Sequence, residues 1–362
     1  MLGRTALMLV LLAAGGGHAS GQSVASATVD DRAAIAKLDA AIRLRPKNAA
    51  LYVSRGAVFA HAGDADRAIA DDTAAIGLDK TNALAWRNRG AAYRAKGDGA
   101  RAMADAAEAI RLDPAMAAAH ADLALSLQSA GEAEKAIAEF SKAIQLDPTD
   151  AETIKARGDA YLAAGDRDSA IADYTQAIAL DPKLTSAFNN RGVAYLEQAN
   201  CEKAIVDFSA VIAIEPTDAP AWLDRGEARE RNGDSAGALV DFDEALRLAP
   251  TTEEALRQRA FLRQTADQNE AAISDYTSLI ALEPKDAAAY RGRGFSEFSL
   301  RRFGPAISDL TTAIGIDPTD ALAYRFRSQA EVAVHEVARA SRDDAAAMRL
   351  APKLPGVLKV EH

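Results

Sequence analysis

The chain has one cysteine, Cys201, in 362 residues. It can close no internal disulfide, and the paired cysteines of a structural zinc site are missing. Histidine is nearly as scarce: His18, His61, His120, His335 and His362, none at ligand spacing from another histidine, a cysteine or a paired acid. There is no G-x-S-x-G, phosphate-loop or dinucleotide fingerprint. The chain is therefore expected to be no enzyme and to use no cofactor or metal. A basic block is also missing. The formal charge is −10, with both signs interspersed, which leaves no stripe to hold nucleic acid or an anionic membrane. Glycine and proline are modest and alanine is abundant, which favours helix over sheet and over disorder.

Long apolar runs are missing as well. The longest, Thr5 to Ala14, is short of the ~20 residues that a spanning helix needs. It follows Arg4 and precedes the small residues GGGHAS, which is the layout of a secretory signal peptide cleaved after Ala19. Segment 1–19 is expected to direct export to the periplasm or the outside, with no membrane insertion after cleavage. No cysteine follows the run, so a lipoprotein anchor has no support.

What the chain does have is a period. Pro46, Pro114, Pro148, Pro182, Pro216, Pro250, Pro284, Pro318 and Pro352 are spaced by 34, except for one double interval in which Lys80 fills the gap. Nine units begin at 49, 83, 117, 151, 185, 219, 253, 287 and 321. Each has an alanine at one fixed place (Ala68 in the first, Ala340 in the last) and a small residue twelve places earlier, most often glycine. In the fourth unit Ala170, Ile171, Tyr174, Ala177 and Ile178 mark one face of a helix, and Ile154, Gly158 and Tyr161 mark another before it. Gly165 between them stops the first helix, and the proline stops the second.

These residues, with the aromatic or bulky residue four places into most units (Tyr52, Trp86, Phe188, Trp222, Tyr290, Tyr324) and a second aromatic near the end (Phe140, Tyr174, Phe208, Phe242, Tyr276), resemble the tetratricopeptide repeat over about 49–352. The resemblance implies an all-α, right-handed superhelical solenoid of helix-turn-helix repeats. It also implies a concave groove lined mainly by the first helix of each pair, holding a peptide or protein partner. The expected organisation is a signal peptide at 1–19, a linker and half-repeat helix at 20–48, nine repeats at 49–352 and a frayed tail at 353–362. The family's carboxylate clamp does not carry over: Asn88 and Asn190 stand in clamp-like places, but the accompanying lysine–asparagine pairs are missing.

One departure from the family is systematic. Where leucine usually precedes the small residue, eight units have arginine: Arg55, Arg89, Arg157, Arg191, Arg225, Arg259, Arg293 and Arg327, with Leu123 the exception. Sixteen residues on, every unit has an acid, from Asp71 to Asp343. Across a helical hairpin these places are close, so a ladder of arginine–carboxylate pairs is expected, within or between neighbouring units. His120, where other units have tyrosine or tryptophan, is expected to be a packing residue.

Places that do not repeat are open to a ligand. In the last three units the groove face is expected to carry Arg257, Arg291 and Arg325 with Phe261, Phe295 and Phe298, and Phe326 beside them. Arginine and aromatic residues are common interface anchors, which suits a peptide with an apolar side chain and an acid. The competing reading is that these phenylalanines pack between first helices and the arginines are solvated. Two functions follow: an exported scaffold for a protein or peptide, or an accessory protein holding an envelope polysaccharide or peptidoglycan strand.

Overall fold

The structure, a computed structural model, describes residues 28–351; the expected signal segment and the tail 353–362 lie outside them. Among the described residues every regular element is an α-helix. Helix α1 (Val29–Leu44) stands before the first hairpin. The nine hairpins are α2 (Ala49–His61) with α3 (Ala65–Leu78), α4 (Ala83–Ala95) with α5 (Gly99–Leu112), α6 (Ala117–Ser129) with α7 (Ala133–Leu146), and α8 (Ala151–Ala163) with α9 (Arg167–Leu180). Then come α10 (Thr185–Glu197) with α11 (Cys201–Ile214), α12 (Ala219–Arg231) with α13 (Ser235–Leu248), α14 (Glu253–Thr265) with α15 (Asn269–Leu282), α16 (Ala287–Ser299) with α17 (Phe303–Ile316), and α18 (Ala321–Ala333) with α19 (Val337–Leu350). The chain divides into two compact units, 1–173 and 174–362, with the boundary inside α9. None of the described helices is long and apolar enough to cross a membrane.

Local chemistry sets the hairpin. Asp64, Asp98 and Asp234 cap the second helices by accepting from a backbone N–H three residues on. The residue before each of these caps is in the left-handed conformation: Gly63, Gly97, Gly131, Gly165 and Gly233 in five hairpins. In the other four it is Ala199, Asp267, Arg301 and His335, each at positive φ despite its side chain.

The small residue of the first helix answers to a ring on the second. A Cβ on Gly226 would lie 2.6 Å from Cε1 of Phe242, and one on Gly192 2.8 Å from Cε1 of Phe208. Both rings are fully buried, so they occupy the room that the glycines leave.

The arginine ladder is present and sits within each hairpin. All eight arginines donate Nε to one aspartate oxygen and Nη2 to the other, at 2.6–3.0 Å. The eight aspartates are 0–9% exposed. The third guanidinium nitrogen, Nη1, reaches sixteen residues back to the preceding second helix. It finds Asp39 on α1, then Thr73, Ser141, Thr175, Ser209, Asp243, Thr277 and Thr311. One arginine thus joins three helices.

The third hairpin shows the same logic by omission. Leu123 replaces the arginine, and both partners change with it: Ala107 has no hydroxyl, and Glu139 turns to His120 and Lys142, each at 2.7 Å. His120 is buried and also bonds the Pro114 carbonyl, as Trp86 and Trp222 do to the carbonyls of Lys80 and Pro216. It is a packing residue with two polar duties.

The first hairpin breaks the pattern in its core. Asp72 takes the place that a ring fills elsewhere, lies over Gly56, is 1% exposed, and has no hydrogen-bond partner for either oxygen. Burial, with the charge of Asp71 next, pushes its carboxyl up to about 8.

Two outcomes follow for stability. Replacing Arg191 by leucine strands the buried Asp207 carboxylate and should cost about 3–5 kcal/mol, whereas the double change of Arg191 and Asp207 to leucine should cost clearly less. Urea midpoints read by circular dichroism decide this, and equal losses refute the pairing. The raised Asp72 pKa means that unfolding releases a proton between about pH 4 and pH 8, so stability falls as pH rises through that window. Asp72→Asn should remove a component on the order of 2 kcal/mol between pH 5 and pH 8. Parallel pH profiles for the two proteins would contradict this assignment.

Candidate functional site

In the unit 174–362, first helices of successive hairpins touch, α14 with α16 and α16 with α18. No comparable contact joins α13 with α15 or α15 with α17. Helices α14, α16 and α18 therefore lie on the tighter, inner side of this unit. The repeat consumes the other faces: the ring, the glycine and the arginine fork are all turned into the stack.

The six candidate residues divide by what holds them. Arg257 donates Nη1 to Asp286 at 2.7 Å, and Arg291 donates Nη1 to Asp320 at 2.5 Å. Each aspartate also caps the first helix on which it sits, Asp286 through the N–H of Ala289 and Asp320 through those of Leu322 and Ala323. Both arginines stay about one-third exposed, and each uses only one nitrogen in its pair. Arg325 is buried, at 7%. Phe295 is half-buried and meets Phe326 edge-on, centroids 4.6 Å apart; Phe298 is half-buried and lies 5.8 Å from Phe303. These two rings pack mainly between elements. Phe261 differs, at 50% exposed.

Helix α12 brings the opposite sign. Asp224 is half-buried on its groove face, and burial, reinforced by Glu227 and Asp218, pushes its carboxyl up to about 7. Glu230 is raised too, by burial and then by Glu227. Along the first helices the groups change from the raised carboxyls of Asp224 and Glu230 on α12 to the exposed Phe261 on α14 and the aspartate-backed arginines of α14 and α16.

Several groups here escaped sequence reasoning. The aspartates behind Arg257 and Arg291 stand 29 residues on and look like ordinary helix caps. Gln264 donates Nε2 to the Gly292 carbonyl at 2.8 Å and to Ser296 Oγ at 2.9 Å, tying α14 to α16. A signal did exist at Gly292: the same place holds a residue with a side chain in every other unit.

Comparisons with known proteins agree with this architecture. A TPR repeat model matches residues 158–199, and a tetratricopeptide repeat model matches 32–83, 87–151, 189–252 and 259–321. No curated protein sequence matches the chain. Among solved structures, MamA is 26% identical, with a TM-score of 0.44 over 48% of this chain and 93% of its own. The pilF protein of Pseudomonas aeruginosa is 21% identical, with a TM-score of 0.50 over 57% of this chain and 94% of its own. YrrB, described as a TPR protein with an unusual peptide-binding site, is 22% identical, with a TM-score of 0.46 over 51% and 96%. With matched segments covering more than half of the chain and helical hairpins in step with its 34-residue period, the chain belongs to the tetratricopeptide repeat family.

Proposed function

We propose that the protein is an exported, non-catalytic scaffold that holds a peptide or protein segment in the groove formed by α12, α14 and α16. One observation carries the reading: Phe261 is half-exposed on the inner face, next to arginines that the fold has already oriented. An aromatic body with pre-positioned guanidinium groups loses little side-chain entropy when it binds. The change of charge sign along the groove gives a bound segment a direction, with its basic end over Asp224 and Glu230 and its acidic end over Arg257 and Arg291. Arg325 is the weakest member of the set because it is buried. The export component rests on the layout of residues 1–19 alone. The other reading, a holder of envelope polysaccharide or peptidoglycan, uses the same face, since rings stack on sugars as well as on side chains.

Capture from an envelope extract separates the two. A protein partner lost on Phe261→Ala and Arg291→Ala supports the scaffold; retention on isolated peptidoglycan, weakened by the same changes, supports the glycan holder. Capture unaffected by both changes rejects this face. Groove arginines should also be cheap to remove. Arg291→Ala leaves Asp320 with the N–H groups of Leu322 and Ala323 and should cost about 1 kcal/mol or less, whereas Arg293→Ala, two residues away, removes both bonds shown to Asp309 and should cost about 3 kcal/mol or more. Thermal midpoints of the two variants test the difference, and similar losses contradict it.

A further inference from the structure

The sixth residue of each first helix follows the groove arginine of the later hairpins. In the other hairpins it is Ser54, Asn88, Asp122, Ala156, Asn190, Asp224, Gln258 and Phe326; in the eighth it is Gly292. A Cβ on Gly292 would lie 2.4 Å from Cζ of Tyr276 and 2.6 Å and 2.8 Å from its Cε1 and Cε2. The phenol end of Tyr276, which belongs to α15, therefore fills the space that a side chain on α16 would take. The tyrosine thus lies between α15 and the backbone of α16 at Gly292.

The ring itself is ordinary for its place. Phe140, Phe208 and Phe242 occupy the same position in other hairpins, fully buried. Packing therefore needs the ring and not the oxygen. Tyr276 is 6% exposed, its hydroxyl has no hydrogen-bond partner among the described residues, and the oxygen is not one of the buried unpaired atoms. The oxygen is therefore not fully sealed from solvent, although the residue as a whole is nearly buried and Gly292 against its ring is buried. A nearly buried phenol without a partner is costly unless something outside completes it.

The surroundings say what would complete it. Arg291 and then Arg257 are the cations that act on the phenol, opposed by Asp275 and Asp286. Burial pushes the hydroxyl up to about 12, so it stays a donor throughout the physiological range. Asp286 and Asp320 each take one nitrogen of their arginine, which leaves the other N–H groups of both forks unused. Arg291 directly precedes Gly292 on α16, and the exposed ring of Phe261 stands one helical turn from Arg257 on α14.

We propose that the Tyr276 hydroxyl, admitted to the groove by Gly292, recognises an acidic side chain of the bound segment, with Arg257 and Arg291 as flanking donors and Phe261 against a neighbouring apolar side chain. This deepens the peptide-binding reading and rests on it. Because Asp286 and Asp320 already balance the two arginines, recognition depends on directed hydrogen bonds more than on net charge, and binding should depend only weakly on salt.

Two fluorescein-labelled pools of short peptides test the proposal, each with one leucine and one acceptor residue at varied spacing, glutamate in one pool and glutamine in the other. Fluorescence anisotropy is read with the full chain, Tyr276→Phe and Phe261→Ala. The wild type should prefer the glutamate pool by about tenfold. Tyr276→Phe should bring that pool to the glutamine level with an unchanged melting curve, since phenylalanine already serves in this place elsewhere. Raising salt from about 50 to 300 mM should shift the affinity about twofold at most. If Phe261→Ala weakens binding while Tyr276→Phe keeps the glutamate preference, groove binding stands and the hydroxyl proposal falls. Equal wild-type affinity for both pools overturns the acid preference, and no binding to either pool sinks both readings.

Discussion

A buried arginine fork against a buried aspartate is the interaction on which the rest of this structure depends. Taking both ions out of water is expensive, and their attraction repays it only when geometry satisfies the remaining donors. Here it does: Nε and Nη2 meet both oxygens of the aspartate sixteen residues on, and Nη1 meets a hydroxyl or acid sixteen residues back. Such a pair adds little net stability over well-packed leucines, but it punishes every arrangement that separates its members. A hairpin slipped by one turn against its neighbour would strand a charge. The fork therefore selects register more than it adds strength, which suits a stack of near-identical hairpins that could otherwise pair in several ways.

The aromatic residues follow from the same constraint. Seven of the eight guanidinium groups, all but that of Arg259, lie over rings on their own helices, at 4.8 Å for Arg89 on Trp86 and 4.7 Å for Arg225 on Trp222. These rings hold the stem of the arginine while the tip is shared between helices. With ring, fork, glycine and cap committed to stacking, few places on a first helix can vary without damage. The surface proposed for binding is confined to them, and Phe261, Asp224 and Gly292 all fall there.

Much of this was legible in the residues. The period, the helical hairpins, the turn glycines and the arginine–acid pairs recur, so each was read several times over. The second partner of the fork was legible too. A hydroxyl or acid precedes each of the eight arginines by sixteen residues, and Ala107 stands before the one leucine, but a ladder of pairs alone accounts for the charges and does not require the third contact. Asp72 is an acid in an aromatic place, but only the tertiary structure shows that it is buried without a partner.

What the sequence determined by itself is whatever repetition encodes: helix, turn, register and the fork, because the same local interaction is written again and again at one spacing. Tertiary structure decided which arginines are backed by an aspartate, that Phe261 is left exposed, and that the Tyr276 ring packs on Gly292. Each of these depends on how one particular side chain meets a neighbouring helix, a non-local fit that occurs once and leaves no period to read.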